Sequence, residues 1–486
     1  MNKLILSSIL LLLLPIALWA QDNPPLFEDF AKGIKDVNVF AFNDHLNVMQ
    51  LTTDNDKFDL VAVNDKMQIL WKTSLAGYGV KVDKFKNKVM ALVSTDHSFA
   101  KGSNNIYRAY IIEPETGKVL SDKIVYESTN DFAEYLKVST GNGDFFKIAV
   151  RQSDMKRKVT GSLWGLVPLG PTVKVSNGTR VIKVIDYNEK LDSIKSFNAV
   201  VSNGIFTSLY WNTHGDMFVT WFNGPSIEVY KYETGATTPS GQLTIPISFK
   251  LSKSYDPGAG IHILPSKNPN VVYYSLIYLN PDKDPELSVG KLDFAKNTTG
   301  YVTQVLNKNN LKAIKKSFVP PNKDFDDVDL GSPYGMNINS MREFDDKIMV
   351  NTTSDYSVSD RGLVVMYESN LLINCYDHDL KLNFQQILPT SFKCKYASPS
   401  IGYHLDGNKL QIVTNTKSIQ GVYGVLDMRT GKWDKIEHLS KKHISNSDFI
   451  EGYAVLWFGG NFVVPYFDAT GIYKLKYNLT LQQNQY

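Results

Sequence analysis

Cysteine is scarce in this chain, since its 486 residues contain only Cys375 and Cys394. Two cysteines do not make a disulfide-dense scaffold, and without histidines at ligand spacing they do not make a zinc site. In an oxidising compartment the pair could form a single disulfide. The alternative is two buried free thiols on neighbouring strands. The sequence leaves both readings open.

Arginine is also rare, because only seven of the 52 basic residues are arginine and the others are lysine. The formal net charge is +3. Arginine recognises phosphate with two parallel hydrogen bonds, whereas lysine is a well-hydrated, solubilising charge. A nearly neutral chain dominated by lysine therefore predicts no nucleic-acid partner.

Familiar catalytic motifs are missing. The sequence contains no Gly-x-Ser-x-Gly elbow, no His-Glu-x-x-His, no Gly-Lys-Ser/Thr phosphate loop and no Cys-x-x-Cys. Its eight histidines are scattered singly, without the spacing of metal ligands. These patterns assign no catalytic residue and predict no cofactor. They favour a protein that is not an enzyme, although the question stays open at the sequence level.

The only long apolar run lies at the N-terminus. Lys3 precedes an apolar stretch over residues 4–14, Pro15 ends it, and a short segment then closes at Ala20. A membrane span needs about 20 apolar residues, so this shorter run is typical of a cleavable signal peptide over residues 1–20. The alternative is a single anchoring helix or a helix of the protein core. We predict export to the periplasm or the extracellular space, with no lipoprotein anchor and no transmembrane helix after cleavage.

One local pattern recurs along the rest of the chain: an apolar strand, a tight polar turn and a second apolar strand. Eight such turns occur near residues 65, 117, 188, 235, 300, 379, 431 and 471. Five contain a Thr-Gly pair, and glycine suits the left-handed position of a turn closed by a bulge. Helical periodicity is weak, with short candidates around 132–138 and 306–316. A unit this small cannot bury its own apolar faces, but stacked copies can.

The segment from Asp59 to Trp71 and the Thr-Gly hairpins resemble blades of the WD40-like and quinoprotein-like β-propeller superfamilies. The resemblance implies an all-β chain folded as a single closed β-propeller of four-stranded antiparallel blades. The turns favour eight blades over seven. Alternative folds are a pair of β-sandwiches or a β-helix. The regular Trp motif of quinoproteins and the Gly-His…Trp-Asp signature are absent, so the resemblance implies no cofactor site and no activity.

The predicted domain boundaries follow from these features. We place the propeller at residues 36–480, after the signal peptide and an N-terminal extension over 21–35, and before a C-terminal tail over 481–486. Wide gaps between turns predict insertions near 153–180 and 307–346. The signal peptide and the composition rich in lysine and asparagine resemble those of exported proteins of the Bacteroidota.

The first insertion is apolar and rich in glycine and proline, and it contains Leu163, Trp164 and Leu166. Exposed apolar patches usually mark contact surfaces, so one reading is a docking surface for a partner, a glycan or a membrane face. The other reading is a loop that folds over one end of the ring and is buried there.

The second insertion carries alternating carboxylates at Asp324, Asp326, Asp327 and Asp329. Carboxylates on a loop can gather around Ca²⁺, a hard ion that takes six to eight oxygen ligands. The glycine and glutamate positions of an EF-hand are absent. The alternative is a solvated acidic loop.

Two histidines lie where a loop could open onto the end of the ring. His262 follows a glycine-rich loop with Tyr255, and His404 follows Tyr403 directly before a predicted strand. These four residues are candidates for ligand binding. The alternative for each histidine is a structural role, since the sequence shows no convergent partner.

The leading hypothesis is an exported, non-enzymatic binding or scaffold propeller that engages a protein or glycan through one face. The rival is a secreted hydrolase or lyase acting on polysaccharide or peptide. A structural component of the cell envelope is a third reading. Fold alone does not decide between them. We expect a monomer.

Overall fold

The computed structural model describes residues 27–53, 57–95, 106–127, 133–159, 162–163, 167–168, 172–200, 205–222, 226–246, 261–321, 330–331, 335–360, 363–390, 392–394, 400–415, 421–439, 448–470 and 476–484. The predicted signal peptide and the four candidate calcium ligands lie outside these residues. Trp164, Leu166 and Tyr255 lie outside them too.

The chain forms antiparallel sheets that follow one another along the sequence. After β1 (Phe27–Ile34), sheet 1 contains β2 (Asp36–Asn43), β3 (Leu46–Thr52), β4 (Lys57–Asn64) and β5 (Ile69–Ala76). Sheet 2 contains β6 (Tyr78–Phe85), β7 (Lys88–Ser94), β8 (Ile106–Ile112) and β9 (Val119–Glu127). Sheet 3 contains β10 (Ala133–Ser139), β11 (Phe146–Val159), β14 (Thr172–Tyr187) and β15 (Ser193–Val200), with β12 (Ser162–Leu163) and β13 (Val167–Pro168) paired between its middle strands.

The same plan continues to the C-terminus. Sheet 4 contains β16 (Ile205–Trp211), β17 (Met217–Phe222), β18 (Ile227–Tyr232) and β19 (Gly241–Ile245), and sheet 5 contains β20 (Ile261–Pro265), β21 (Val271–Leu279), β22 (Pro285–Asp293) and β23 (Thr298–Val305). Sheet 6 contains β24 (Met336–Phe344), β25 (Lys347–Asp360), β26 (Leu363–Glu368), β27 (Leu371–Asp377), β28 (Leu382–Leu388) and β29 (Phe392–Cys394). Sheet 7 contains β30 (Gly402–Asp406), β31 (Lys409–Asn415), β32 (Gly421–Asp427) and β33 (Lys432–His438). The last strands are β34 (Asp448–Ile450), β35 (Leu456–Phe458), β36 (Asn461–Thr470) and β37 (Lys476–Asn484).

The first strands of the sheets line the centre of a ring. Neighbouring first strands contact one another, as β2 does with β6 and β20 with β24. The fourth strands form the outer wall and are largely exposed, as in β5. Because strands alternate in direction, each first strand ends on the same side as the connection between the third and fourth strands. We call this side the end face and the opposite side the start face.

Both ends of the chain build the sheet that closes the ring. The N-terminal strand β1 pairs with β37, from Phe27 opposite Gln482 to Ile34 opposite Tyr477. On its other side β37 pairs with β36, which pairs in turn with β34 and β35. Ile34 is fully buried in the cluster that joins this closing sheet to sheet 1. The propeller therefore begins inside the segment predicted to be an extension.

The all-β, single-propeller fold with four-stranded antiparallel blades is confirmed, but the prediction of eight blades is wrong. Sheets 1 to 7 are the seven blades, and each is built from one continuous segment of chain that supplies its four main strands. Sheet 6 also contains the additional strands β26 and β29. The remaining sheet is the composite closing sheet, with a first strand interrupted between β34 and β35. The turn near 471, counted as an eighth blade hairpin, instead connects the second and third strands of the closing sheet.

The other seven predicted turns connect third to fourth strands on the end face. Gly117, Gly235 and Gly431 adopt φ values of 69°, 80° and 66°, so the left-handed role predicted for them is confirmed. Gly300 instead lies within β23, and Asn297 (φ 53°) takes the left-handed position. The reason is that the hairpin turns earlier than predicted, between Asp293 and Thr298.

Buried side chains fill the spaces between neighbouring sheets. β3 is buried at every position because sheets cover both of its faces. Met49 and Leu51 pack toward the closing sheet, whereas Leu46 and Val48 pack toward sheet 2. This two-sided burial explains why the strand lacks the apolar-polar alternation of a half-exposed sheet. Each blade thus depends on its neighbours for its core.

The described parts of the two predicted insertions contain regular secondary structure. In the first insertion, β11 and β14 form a long hairpin that is paired as far as Val159 opposite Thr172, with register shifts on both sides of Ser153. The second insertion contains helix α1 (Lys308–Ser317), capped by the Asn307 side chain accepting from Asn310 N–H at 3.0 Å. This helix was predicted, whereas the described part of the segment 132–138, from Ala133 onward, lies in strand β10, which pairs with β11. Among the described residues, no helix is long and apolar enough to cross a membrane.

Candidate functional site

The described site residues predicted from sequence fall on two parts of the fold. Leu163 lies in β12, between the long strands of sheet 3. His262 lies on β20, and Tyr403 and His404 lie on β30, so all three occupy strands that line the centre. Burial lowers the pKa of His262 and of His404. Ligand binding at these positions stays a prediction.

Tyr403 and His404 contact the two sheets that flank sheet 7, one on each side. The Tyr403 hydroxyl donates to Asn339 Oδ1 at 3.0 Å, and its ring lies under the Arg342 guanidinium at 4.9 Å, both in sheet 6. The His404 ring stacks on Trp457 of the closing sheet at 5.0 Å. Successive side chains point to opposite faces of a strand, so this pair holds sheet 7 to both neighbours. These contacts fit the structural alternative.

A polar pocket of about 170 Å³ opens on the end face, where the first strands of sheets 2, 3 and 4 end. It is smaller than the roughly 300–1,000 Å³ of sites for drug-sized ligands. An indole, hydroxyls, amides and an ion pair line it, together with one valine and one glycine. The lining residues are Lys81, Asp83, Val138, Ser139, Thr140, Gly141, Asn142, Trp211, Asn212 and Thr213. We call it the end-face pocket.

A tight loop between β10 and β11 forms one wall of the end-face pocket. Gly141, Asn142 and Gly143 have φ values of 54°, 61° and 104°, so three successive residues adopt positive φ. A Cβ atom on Gly141 would lie 2.2 Å from the Phe145 ring. The Gly143 carbonyl anchors the loop by accepting from the Lys86 N–H at 2.9 Å. Two of these three residues are glycines, which adopt positive φ without strain, and the loop presents the exposed Asn142.

The other walls hold their polar groups by local hydrogen bonds. Asp83 forms an ion pair with Lys81 at 3.1 Å, and its Oδ1 accepts a hydrogen bond from the Lys84 N–H at 2.8 Å. Asn212 Oδ1 accepts from the N–H groups of His214 and Asp216 at 3.0 and 2.9 Å. Groups fixed in this way can select a ligand by its hydroxyls and charge without first being ordered.

Sequence reasoning missed the end-face pocket. Its residues come from three separate strand ends, far apart in the chain, and no local motif links them. The one usable signal was the Gly141-Asn142-Gly143 run, which predicts an unusual turn. The histidines that drew attention in the sequence are not among the lining residues.

Ser266, Glu343 and His378 come together between sheets 5 and 6. Ser266 Oγ and the Lys267 N–H donate to Glu343 at 2.8 Å each. His378 Nε2 lies 3.2 Å from Glu343 Oε1, without the alignment of a hydrogen bond. A nucleophilic triad places histidine between serine and acid, whereas here the acid lies in the middle. Ser266 is also only 3% exposed, so this cluster joins blades rather than attacking a substrate.

Two carboxyl groups lie toward the start face. Asp36 opens β2, and Glu451 follows β34 with its Oε2 accepting from the Tyr453 hydroxyl at 2.6 Å. Burial, together with the nearby Asp36 charge, raises the pKa of Glu451 to about 7. Burial also raises the pKa of Asp36. A carboxyl group that stays protonated near neutral pH can act as a general acid.

The raised pKa of Glu451 predicts that stability falls with rising pH. Its ordinary value is 4.5, so from there to about pH 7 the folded protein holds a proton that the unfolded chain releases. Stability is therefore greatest below this window and lost through it, by about 3 kcal/mol. Glu451→Gln should remove most of this slope in urea unfolding between pH 5 and pH 8. The exposed Glu189→Gln is the control, and equal slopes for wild type and Glu451→Gln would contradict the assignment.

Cys375 is a buried free thiol, and burial raises its pKa to about 12. This state corresponds to the free-thiol reading of the sequence. Cys394 lies in β29, and its side chain falls outside the described part of the molecule. A thiol with so high a pKa is a poor nucleophile at neutral pH.

Metal-binding groups are absent from the described ranges, in the sense that no three His, Cys, Asp or Glu side chains gather as ligands there. The acidic run at 324–329 lies outside those ranges. A calcium site at that run therefore stays a prediction.

Comparison with known proteins gives similarity in fold alone. No protein-family model and no curated protein matches the chain. The WD40 domain of SCAP from fission yeast has 10% identity and a TM-score of 0.37, over 94% of this chain and 98% of that one. The periplasmic gluconolactonase PpgL of Pseudomonas aeruginosa has 11% identity and a TM-score of 0.39, over 83% of this chain and 96% of that one. The β-propeller domain of the Trilobed protease from Pyrococcus furiosus has 12% identity and a TM-score of 0.38, over 84% of this chain and 97% of that one.

These three proteins differ in kind, and their low identity and TM-scores assign no activity, ligand or partner to this chain. The architecture rests on the chain's own strands, which pair into sheets arranged around a ring. The chain has the β-propeller fold.

Proposed function

We propose that this protein is an exported, non-enzymatic propeller that binds a glycan at the end face of its ring. The observation that carries the proposal is the end-face pocket, where Trp211 meets three hydroxyl side chains, two amides and the Lys81–Asp83 pair. A sugar ring offers C–H groups to an aromatic face and hydroxyls to polar side chains. Export is supported by the predicted signal peptide over residues 1–20.

The pocket chemistry favours binding over hydrolysis. Most glycosidases use two carboxyl groups that flank the scissile bond, about 5–9.5 Å apart. Asp83 is the one carboxylate among the lining residues, and it is already engaged by Lys81. The pocket therefore offers donors and acceptors for orientation but not an acid and base pair.

The surface chemistry favours a glycan over a protein partner. The core of a protein interface is enriched in apolar and aromatic side chains and depleted of charge, whereas the end-face pocket is mostly polar. Several exposed apolar side chains lie on the outer strands instead, including Ile69, Leu70 and Ile194. Ile69 and Leu70 lie on one strand of sheet 1, whereas Ile194 lies in sheet 3. These three residues therefore form no continuous apolar patch around the pocket.

Glycan binding is tested on an array probed with the mature chain and with Trp211→Ala. We expect the wild type to retain a subset of polysaccharides and the variant to lose at least about tenfold in affinity, since a stacked aromatic ring is a typical binding anchor. The measurement is titration by calorimetry with the best ligand from the array.

Trp433→Ala provides the matched control, because Trp433 is also half-buried but lies on outer strand β33. Equal loss in both variants, or retention of the ligand by Trp211→Ala, would reject the pocket as the binding site. Absence of any bound glycan would reject the function itself.

The raised pKa of Glu451 beside Asp36 is the observation that favours the rival function, a polysaccharide hydrolase or lyase. Incubating the protein with the glycans that it binds on the array distinguishes the two functions. Release of new chain ends during incubation, stopped by Glu451→Gln, would replace the binding proposal with the enzymatic one.

A further inference from the structure

Arg342 lies near the centre of the ring and forms no ion pair with any residue that the structure describes. It lies on β24, the innermost strand of sheet 6, and its side chain is exposed. Desolvation by surrounding protein nevertheless lowers its pKa. Its aromatic contact, Tyr403, lies on β30, the innermost strand of sheet 7, so Arg342 lies between two strands that line the centre of the ring.

The carboxylate next to Arg342 in sequence is engaged elsewhere. Glu343 accepts from Ser266 Oγ and the Lys267 N–H on the other side of the strand. Within the described part of the chain, no carboxylate forms an ion pair with Arg342, whereas Arg108 pairs with Asp122 at 2.8 Å. A cation that is partly desolvated and unpaired is costly, and an anion would offset that cost.

The neighbours of Arg342 leave its donors available. Its guanidinium lies over the Tyr403 ring at 4.9 Å, a cation–π contact that uses none of its N–H groups as a hydrogen-bond donor to an oxygen. The Tyr403 hydroxyl donates to Asn339 Oδ1 at 3.0 Å, which fixes the amide and assigns Nδ2 as a further donor. Tyr403 therefore contacts two groups that can donate, the Arg342 guanidinium and the Asn339 amide.

We propose that Arg342, positioned by Tyr403 and accompanied by Asn339, binds the carboxylate of an organic ligand in the central channel. A planar carboxylate matches the guanidinium fork with two parallel hydrogen bonds. This site is separate from the end-face pocket, so the inference does not depend on glycan binding there.

Ligand-detected NMR titration with glucuronate, and with glucose as its neutral counterpart, tests the proposal on the mature chain. We expect glucuronate to bind and glucose to bind at least tenfold more weakly at this site. Arg342→Gln should abolish the difference, and Arg342→Lys should restore it only in part, because an ammonium lacks the fork.

Arg108→Gln is the matched control, because it removes an arginine whose charge is already paired. Retained glucuronate binding in Arg342→Gln, or equal loss in Arg108→Gln, would overturn the proposal. Tighter binding of inorganic phosphate than of glucuronate would overturn the assignment to carboxylates. Unchanged thermal unfolding of Arg342→Gln ensures that any loss reflects the site rather than the fold.

Discussion

A chain that begins at Lys35 instead of Phe27 is expected to lose its cooperative unfolding transition. It lacks β1, so β37 becomes an open edge with unpaired backbone groups. It also lacks Ile34, whose full burial contributes about 1.5–3 kcal/mol before any backbone pairing is counted. Thermal unfolding followed by circular dichroism should show a broad transition at lower temperature.

A chain beginning at Phe27 serves as the control and should unfold as the mature protein does. Adding a synthetic peptide of residues 27–34 to the shortened chain should restore much of the transition, because an extended peptide can add to an open sheet edge. An unchanged transition in the shortened chain would show that β1 does not close the ring.

Lys147→Ala is expected to destabilise the protein by about 3–5 kcal/mol, the range for a buried ion pair that loses one partner. The Lys147 and Asp186 side chains are only 5% and 13% exposed, with Nζ 3.1 Å from Oδ2. Asp186 Oδ1 is already buried without a hydrogen-bond partner, so the variant leaves the whole carboxylate unsatisfied. Urea unfolding measures the change.

The Lys123–Asp192 pair offers the matched comparison, because its side chains are 44% and 52% exposed. Lys123→Ala should cost no more than about 1 kcal/mol. Replacing both buried partners, Lys147→Met with Asp186→Leu, should recover most of the loss. If Lys147→Ala lowered the free energy of unfolding by no more than Lys123→Ala does, burial would not determine how much each ion pair contributes to stability.

The sequence was sufficient for the repeating hairpins because their signals are local. Glycine takes the position with positive φ in the Thr-Gly turns, as at Gly117. In the shorter turns that position belongs to another residue, such as Met67, and an asparagine or aspartate side chain stabilises the turn by accepting backbone hydrogen bonds. Asn64, for example, accepts from the N–H groups of Lys66 and Gln68 at 3.0 and 2.9 Å. Patterns of this kind predict where blades turn, whatever their neighbours.

The predicted number of blades was wrong because the ring is closed by strands that are far apart in the sequence. The segment Phe27–Ile34 becomes a strand by pairing with residues 477–482, and nothing within its own sequence identifies that partner. The turn near 471 has the same Thr-Gly signal as a blade hairpin, yet it occupies a different place in its sheet. Local signals do not distinguish these two positions.

The two proposed binding sites were beyond sequence reasoning for a related reason. Each is assembled from first strands that meet only when the ring forms, such as β6, β10 and β16 at the end-face pocket. Tyr403 was identified as a candidate, but its partners Arg342 and Asn339 lie about sixty residues earlier in a different blade. A contact of that range leaves no periodic or spaced pattern.

Hydrogen–deuterium exchange of the mature chain, with and without the best glycan from the array, tests the central claim most directly. The proposal predicts slower exchange in peptides that cover residues 81–83, 138–142 and 211–213, all of which border the end-face pocket. Protection confined to the start face, for instance in the hairpin of residues 153–180, with no change at those three strand ends, would contradict it.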